Sequence, residues 1–173
     1  MDESLRSKII ILAVIIFVVR LITSHIYDPS IHRGAWYKVK VPEGWKKEAR
    51  EDEVFFYSPQ KDYLGNSEAI FSIYGFKSRG ALFMDLFFPD VLGNLAQQNG
   101  KILNQGEIKI DTQISKWVLF RSYDPDWIIW SFFIIDEFNR LTKIQFLTRP
   151  EHFKKYRTVF EAFKDSIKFK QFF

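Results

Sequence analysis

Residues Trp127 to Ile135, WIIWSFFII, are apolar at every position but one, and a strand of that composition has no face to show to water. It has to be covered on both sides, so the chain must build a sheet with further layers on either side of it. The neighbouring sequence supplies the other strands. From Gly106 to Thr148 three or four β-rich runs are separated by Asp111-Thr112, by Asp124-Pro125-Asp126 and by Asp136-Glu137-Phe138-Asn139, lengths that fit an antiparallel meander.

The first half of the sheet is read from alternation. Tyr37-Lys38-Val39-Lys40-Val41 alternates apolar with charged and stops at Pro42-Glu43-Gly44, after which comes Trp45. Val54 to Ser58 and Ala69 to Phe76 are further β-type runs, with Pro59 and Gly65-Asn66 marking the connection between them. Two helices supply the covering layers. Leu82, Phe83, Leu86, Phe87, Val91, Leu92 and Leu95 recur as the stripe of a helix packed on a sheet, with Pro89 expected to kink it and Asn99-Gly100 to end it. Thr148-Arg149-Pro150-Glu151 matches a capping box, in which the Thr hydroxyl and Glu carboxylate satisfy free amides at a helix start. Phe153, Tyr156, Phe160, Phe163 and Ile167 then form a buried stripe. The fold class is therefore α+β, an antiparallel sheet between helices.

Ile9 to Val19, IIILAVIIFVV, is an unbroken apolar run, and with the residues through Ile26 it makes an 18-residue segment, near the ~20 needed to cross hydrocarbon. In lipid its backbone has no other hydrogen-bonding partner, so it is expected to be a transmembrane helix. The rival reading is a cleaved signal peptide, since Arg6 and Lys8 give a positive start, although no A-x-A site follows. Arg20 and Phe17 are the candidate partner contacts of this helix. Arg20 lies about 9 Å along a helix from Ile26, close enough to snorkel to headgroups, or else it meets a carboxylate or carbonyl on a neighbouring membrane helix. Basic residues flank both ends of the span, so the charge rule barely separates the two orientations. A tail as short as residues 1–8 stays in the cytoplasm as a signal anchor, which places the domain outside, in a periplasm or lumen. Thr23 to Gly34 has turn and polar residues around Asp28-Pro29 and no sustained period. The chain thus divides into a tail (1–8), an anchor (9–26), a linker (27–34) and one domain (35–173).

Composition removes several classes of function. With no cysteine, disulfides, zinc-thiolate sites, iron–sulfur clusters and a bacterial lipid anchor are excluded. From Gly34 onward 21 basic residues face 18 acidic ones, too even a balance for a nucleic-acid binder. From Arg140 to Lys170, however, nine basic residues oppose three acidic ones. Lys154, Lys155, Arg157, Lys164 and Lys168 form either a docking face for an anionic partner or the solvated side of an amphipathic helix. His25, His32 and His152 have no metal-ligand or triad spacing. The carboxylates Glu48, Glu51, Asp52 and Glu53, and Asp124 with Asp126, lack the spacing of a calcium loop. The eight glycines never form a phosphate-cradling loop. Trp117, Trp127 and Trp130 sit in strands that can pair, as core or as a surface aromatic slot.

Trp36-Tyr37-Lys38-Val39-Lys40-Val41-Pro42-Glu43-Gly44-Trp45, followed by Phe55-Phe56-Tyr57-Ser58-Pro59, resembles the opening of the PsbP-like superfamily, and Phe163 to Phe169, FKDSIKF, is similar to its closing helix. That superfamily includes the extrinsic PsbP protein of photosystem II, a Ran-binding import factor and bacterial domains of unknown role. The resemblance spans about Trp36 to Phe169 and implies an antiparallel sheet between helices. The expected function is a non-catalytic, membrane-anchored accessory or assembly subunit. It would need no cofactor or metal, and its partners would be other membrane subunits and the bilayer. The alternative is a membrane-tethered binding domain for a small apolar or cationic ligand, seated in an aromatic cleft between sheet and helix.

Overall fold

Each β-type run read from the sequence between Tyr37 and Thr148 becomes a strand, and the meander is longer than the apolar pattern alone implies. The computed structural model describes residues 14–16, 28, 30–78 and 82–170. The anchor expected at 9–26, with Arg20 and Phe17, lies outside these residues except for Val14, Ile15 and Ile16, which are helical and exposed. Among the described residues no helix is long and apolar enough to cross a membrane.

In chain order the elements are β1 (Ile31–Arg33), β2 (Tyr37–Lys40), β3 (Lys46–Ala49), β4 (Glu53–Tyr57), β5 (Ala69–Lys77) and α1 (Met84–Ala96). They continue with β6 (Gly100–Ile110), β7 (Gln113–Tyr123), β8 (Asp126–Ile135), β9 (Arg140–Thr148), α2 (Pro150–Asp165) and β10 (Lys168–Phe169). Seven strands form one antiparallel sheet in the order β3-β4-β5-β9-β8-β7-β6, and β1-β2-β10 form a small second sheet. The fold is α+β.

Two apolar clusters show how the faces are covered. On one face α2 and the small sheet bury Phe71, Phe146, Phe132 and Ile144 beneath Tyr156, Phe160, Phe163 and Val39. On the other face α1 packs Phe88 onto Val118 and Phe133. The apolar β8 is thus covered on both sides, as its composition requires: Phe132 faces α2, and the next residue, Phe133, faces α1. Cover on the α1 side is partial. That helix packs against β6, β7 and β8, so Phe55, Tyr57, Ile70 and Tyr74 of β4 and β5 remain half-buried on the same side.

The turn at Pro42-Glu43-Gly44 is structural. Gly44 takes a φ of +75°, a conformation that costs glycine little, and the Trp45 amide donates to the Pro42 carbonyl. Trp45 then stacks on Phe71 at 4.1 Å between ring centres.

Three expectations are corrected. The segment 27–34 is not all linker, because Ile31–Arg33 pairs with β2, from Ile31 opposite Lys40 to Arg33 opposite Lys38. The capping box does not form. Thr148 is the last residue of β9, paired with Ala69 and Ile128, and its hydroxyl donates to the Glu68 carbonyl at 2.7 Å. Arg149 is the N-cap instead, without a side-chain cap, and Pro150 opens the helix. Finally, Asn99-Gly100 does not end α1. The helix stops at Ala96 with Gln97 in a right-handed conformation, and Gly100 begins β6.

Gly100 is demanded by crowding, since a Cβ there would lie 2.3 Å from the Arg121 carbonyl oxygen and 2.4 Å from the Phe120 ring. Gly93, inside α1, has nothing within 4 Å of a Cβ. Opposite outcomes are expected from the same substitution. Gly93→Ala should raise stability by roughly 0.5–1 kcal/mol through helix propensity. Gly100→Ala should lower it by roughly 1–3 kcal/mol through overpacking. Urea midpoints of the two variants measure both.

Candidate functional site

Alternation along β7 and β8 places Trp117, Trp130 and Phe132 on the α2 side of the sheet, in a register that sets Trp117 opposite Phe132. Gly106 on β6 lies opposite Trp117, and a Cβ there would come within 3.0 Å of the indole. The glycine therefore lets the Trp117 ring lie across the edge strand. The result is a cleft of about 360 Å³ between the sheet and α2, with Ile108, Trp117, Trp130 and Phe132 as its floor.

The two indoles meet edge to face, 6.0 Å apart at 73°. Trp130 Nε1 is buried and has no hydrogen-bond partner among the described residues. From α2, the Arg157 guanidinium sits 5.8 Å from the Trp130 ring and the Lys164 ammonium 5.9 Å from that of Phe132. Each cation is paired, Arg157 with Glu161 at 2.9 Å and Lys164 with Asp165. The cleft offers stacking and cation–π surface under two neutralised ion pairs. Its lining carries no serine, threonine or histidine.

Trp127, grouped with these tryptophans in the sequence, is not part of the cleft; it lies under the Arg149 guanidinium at 4.9 Å. The basic docking face is also altered. Lys154, Lys155, Arg157 and Lys168 are exposed, but Lys164 is buried, its stem lying over the aromatic floor and its ammonium reaching Asp165. Lys168 pairs with Asp111 at 3.1 Å. Most of this face is therefore neutralised within the domain.

The other candidate groups are dispersed. His32 is wedged between Tyr37 and Phe56, and burial lowers its pKa. Glu51, Asp52 and Glu53 border a separate cavity of about 220 Å³ beneath the β1–β2 hairpin, while Glu48 pairs with Arg50. Asp126 receives two hydrogen bonds from the Arg121 guanidinium, each 3.0 Å. No group of three or more histidines and carboxylates converges on a metal-sized point among the described residues. His25 lies outside them.

A cluster that the sequence does not reveal joins the β4–β5 connection to α2. Glu68 accepts from Lys155 at 2.5 Å and from the Tyr156 hydroxyl at 2.8 Å, and His152 lies 3.8 Å away. Glu68 is more than 80 positions from these partners, so no spacing signals it. Lys155 foremost, helped by the Tyr156 hydroxyl, holds the Glu68 carboxyl below its ordinary value of 4.5, against the opposing effect of burial. A carboxylate with a depressed folded pKa contributes stability above its unfolded pKa and loses it as pH falls through the folded one. Glu68→Gln should therefore cost roughly 1 kcal/mol at neutral pH. The gap between variant and parent should narrow as pH falls below the ordinary carboxylate value and close only at lower pH, once Glu68 is protonated in the folded state, as read by urea midpoints across pH. A gap independent of pH would contradict the assignment.

No family model matches the chain, and no curated protein matches it. Solved structures share its fold. PA94 of Pseudomonas aeruginosa, a protein of unknown function proposed as a regulator, aligns with a TM-score of 0.62 at 14% identity, over 82% of this chain and 97% of its own. The cyanobacterial PsbP of Synechocystis, CyanoP, gives 0.57 at 13% identity, over 84% of this chain and 95% of its own. A Bacteroides thetaiotaomicron protein gives 0.54 at 17% identity, covering 82% of this chain and 47% of its own. At such identities the likeness is one of fold, and the fold is PsbP-like.

Proposed function

We propose that the chain is a non-catalytic accessory subunit of a membrane protein complex, anchored by the apolar segment 9–26 with its domain outside the cytoplasm. The observation that carries this reading is the position of β1. The first strand begins at Ile31, so only residues 27–30 lie between it and the apolar segment, and a connection that short would keep the domain at the bilayer surface. Two features support an accessory role: Glu68–Lys155 and Asp111–Lys168 are bridges that hold separate elements together, and PA94 and CyanoP share the fold. Arg20 and the exposed Lys154 and Arg157 are the proposed contacts with other subunits.

Affinity isolation of the full chain in mild detergent, followed by mass spectrometry, tests the proposal. Reproducible recovery with other membrane subunits is expected; recovery alone as a monomer would count against it. Retention in the membrane pellet after alkaline carbonate tests the anchor separately.

The Trp117–Trp130 cleft favours a second reading, in which the tethered domain binds a small apolar or cationic ligand. Tryptophan fluorescence would then respond to such a ligand in the parent but not in Trp117→Ala.

A further inference from the structure

Five of the ten large apolar side chains that the described part of the domain exposes lie at one end of the main sheet. They are Phe76 at the end of β5, Phe83 and Leu86 at the start of α1, Ile114 at the start of β7, and Phe138 in the β8–β9 turn. All are at least 42% exposed, and Leu86 reaches 70%. They come from four separate segments brought together by the fold. Lys77 pairs with Arg140, Ile135 with Leu141, and Lys116 with Phe133, so these strand ends share one edge of the molecule.

Several backbone amides at this end are satisfied locally. Asn139, at a φ of +56°, accepts from the Ser78 amide through its carbonyl and from the Leu82 amide through its side chain. Asp136 accepts from the amides of Phe138 and Arg140, and the Phe83 carbonyl accepts from Leu86 and Phe87. A surface that leaves water needs its polar backbone satisfied, and these bonds meet that need at the Ser78, Leu82, Leu86, Phe87, Phe138 and Arg140 amides. Lys77 and Lys109, to which no carboxylate is bridged among the described residues, flank the patch; its carboxylates are Glu137 beside Phe138 and Asp85 between Phe83 and Leu86, the latter paired with Lys116.

We propose that this end of the domain is a lipid-contact surface, with Phe83, Leu86 and Phe138 entering the headgroup layer of the membrane. The inference rests on the anchor reading for the source of the bilayer. Four residues separate Ile26 from Ile31, and since the Ile31 amide donates to the Asp28 carbonyl the stretch turns and reaches at most about 14 Å. From Ile31 the chain runs through β1 to the turn at Trp36, whose ring covers Gly75 and whose Nε1 donates to Thr142, next to Phe76 and Leu141. That span is about 10–13 Å by strand rise, so the tether is long enough for this end to meet the membrane to which it is fixed. Apolar side chains with flanking lysines suit an interface containing anionic lipid. The opposite end is more polar: it exposes Tyr63, Leu64 and Tyr123, with Asp62, Asp124 and the Arg121–Asp126 pair beside them.

The chain has no cysteine, so single cysteines can carry an environment-sensitive fluorophore without further change. Phe83→Cys, Phe138→Cys and, as the opposite-end control, Tyr63→Cys are labelled in the full chain. Each is reconstituted into phosphatidylcholine vesicles containing phosphatidylglycerol and acyl-chain spin-labelled lipid. Quenching at 83 and 138 is expected to exceed that at 63 several-fold, with blue-shifted emission. Retention of the protein after carbonate with equal, weak quenching at all three sites would overturn the lipid contact while leaving the anchor in place. Shielding of 83 and 138 from an aqueous quencher, without quenching by lipid, would overturn it in favour of a protein partner. Release by carbonate with strong lipid quenching would support the contact and overturn the anchor; release with weak quenching would overturn both.

Discussion

Phe71→Ala is expected to remove about 3–5 kcal/mol of folding stability, the range found when a fully buried aromatic ring is deleted from a core that cannot collapse. Phe71 is at 0% exposure, in the fifth strand of the chain and third in the main sheet. Its ring stacks on Trp45 at 4.1 Å and meets Phe163 at 4.8 Å, with Phe146 and Phe160 each at 5.4 Å. These partners come from the β2–β3 turn, from α2 and from β9, so no single element can move in to fill the space. A loss of this size is a large share of the ~5–15 kcal/mol that holds a typical domain together. Guanidinium unfolding followed by tryptophan fluorescence would measure it. Phe71→Leu, which keeps most of the apolar volume, should cost clearly less; equal costs would mean that the ring packing adds nothing beyond hydrophobicity.

Asp136→Ala is expected to destabilise by a similar amount, roughly 3–5 kcal/mol, by a different route. The carboxylate and the Arg140 guanidinium lie 2.5 Å apart, with side-chain exposures of only 7% and 10%. Deleting the acid leaves a cation largely out of water without its carboxylate, and also strips the acceptors from the Phe138 and Arg140 amides. Asp136→Asn can keep the amide contacts while losing the charge. It should fall between parent and alanine variant in urea, and parity of Asn with parent would show that the ion pair contributes nothing net.

Much of the architecture is legible because the signals are local. Tyr37 to Val41 alternates, and its odd-numbered residues Tyr37 and Val39 are the buried ones; Gly44 closes the turn that Pro42 opens. The reading fails where one residue type serves two purposes. Thr148 suits a helix cap and a strand end equally, and the strand claims it because Ala69 and Ile128 pair on either side of it. Gly100 after Asn99 suits a helix terminus, yet its need comes from Arg121 and Phe120 across a ladder. Lys164 lies within the helical charge pattern and is nonetheless buried, because the floor over which it lies is made by Phe132 of another strand.

The candidate surfaces were less readable for the same reason. Trp117 and Trp130 could be grouped from sequence, but their edge-to-face geometry depends on the register of β7 with β8 and on Gly106 in a third strand. The patch formed by Phe76, Phe83, Ile114 and Phe138 has no sequence signature, since its members are scattered over more than 60 positions.

The pairing of β5 with β9 has a consequence for how the protein is made. Ala69 lies opposite Thr148 and Lys77 opposite Arg140, so during synthesis the newly formed β4–β5 ribbon waits for more than half the remaining polypeptide before its open border is closed. Throughout that interval a nine-residue row of unsatisfied amides and carbonyls, carrying Phe71 and Ile73, is available to any other nascent chain. A holding chaperone would have its greatest value in that window, before residue 148 emerges.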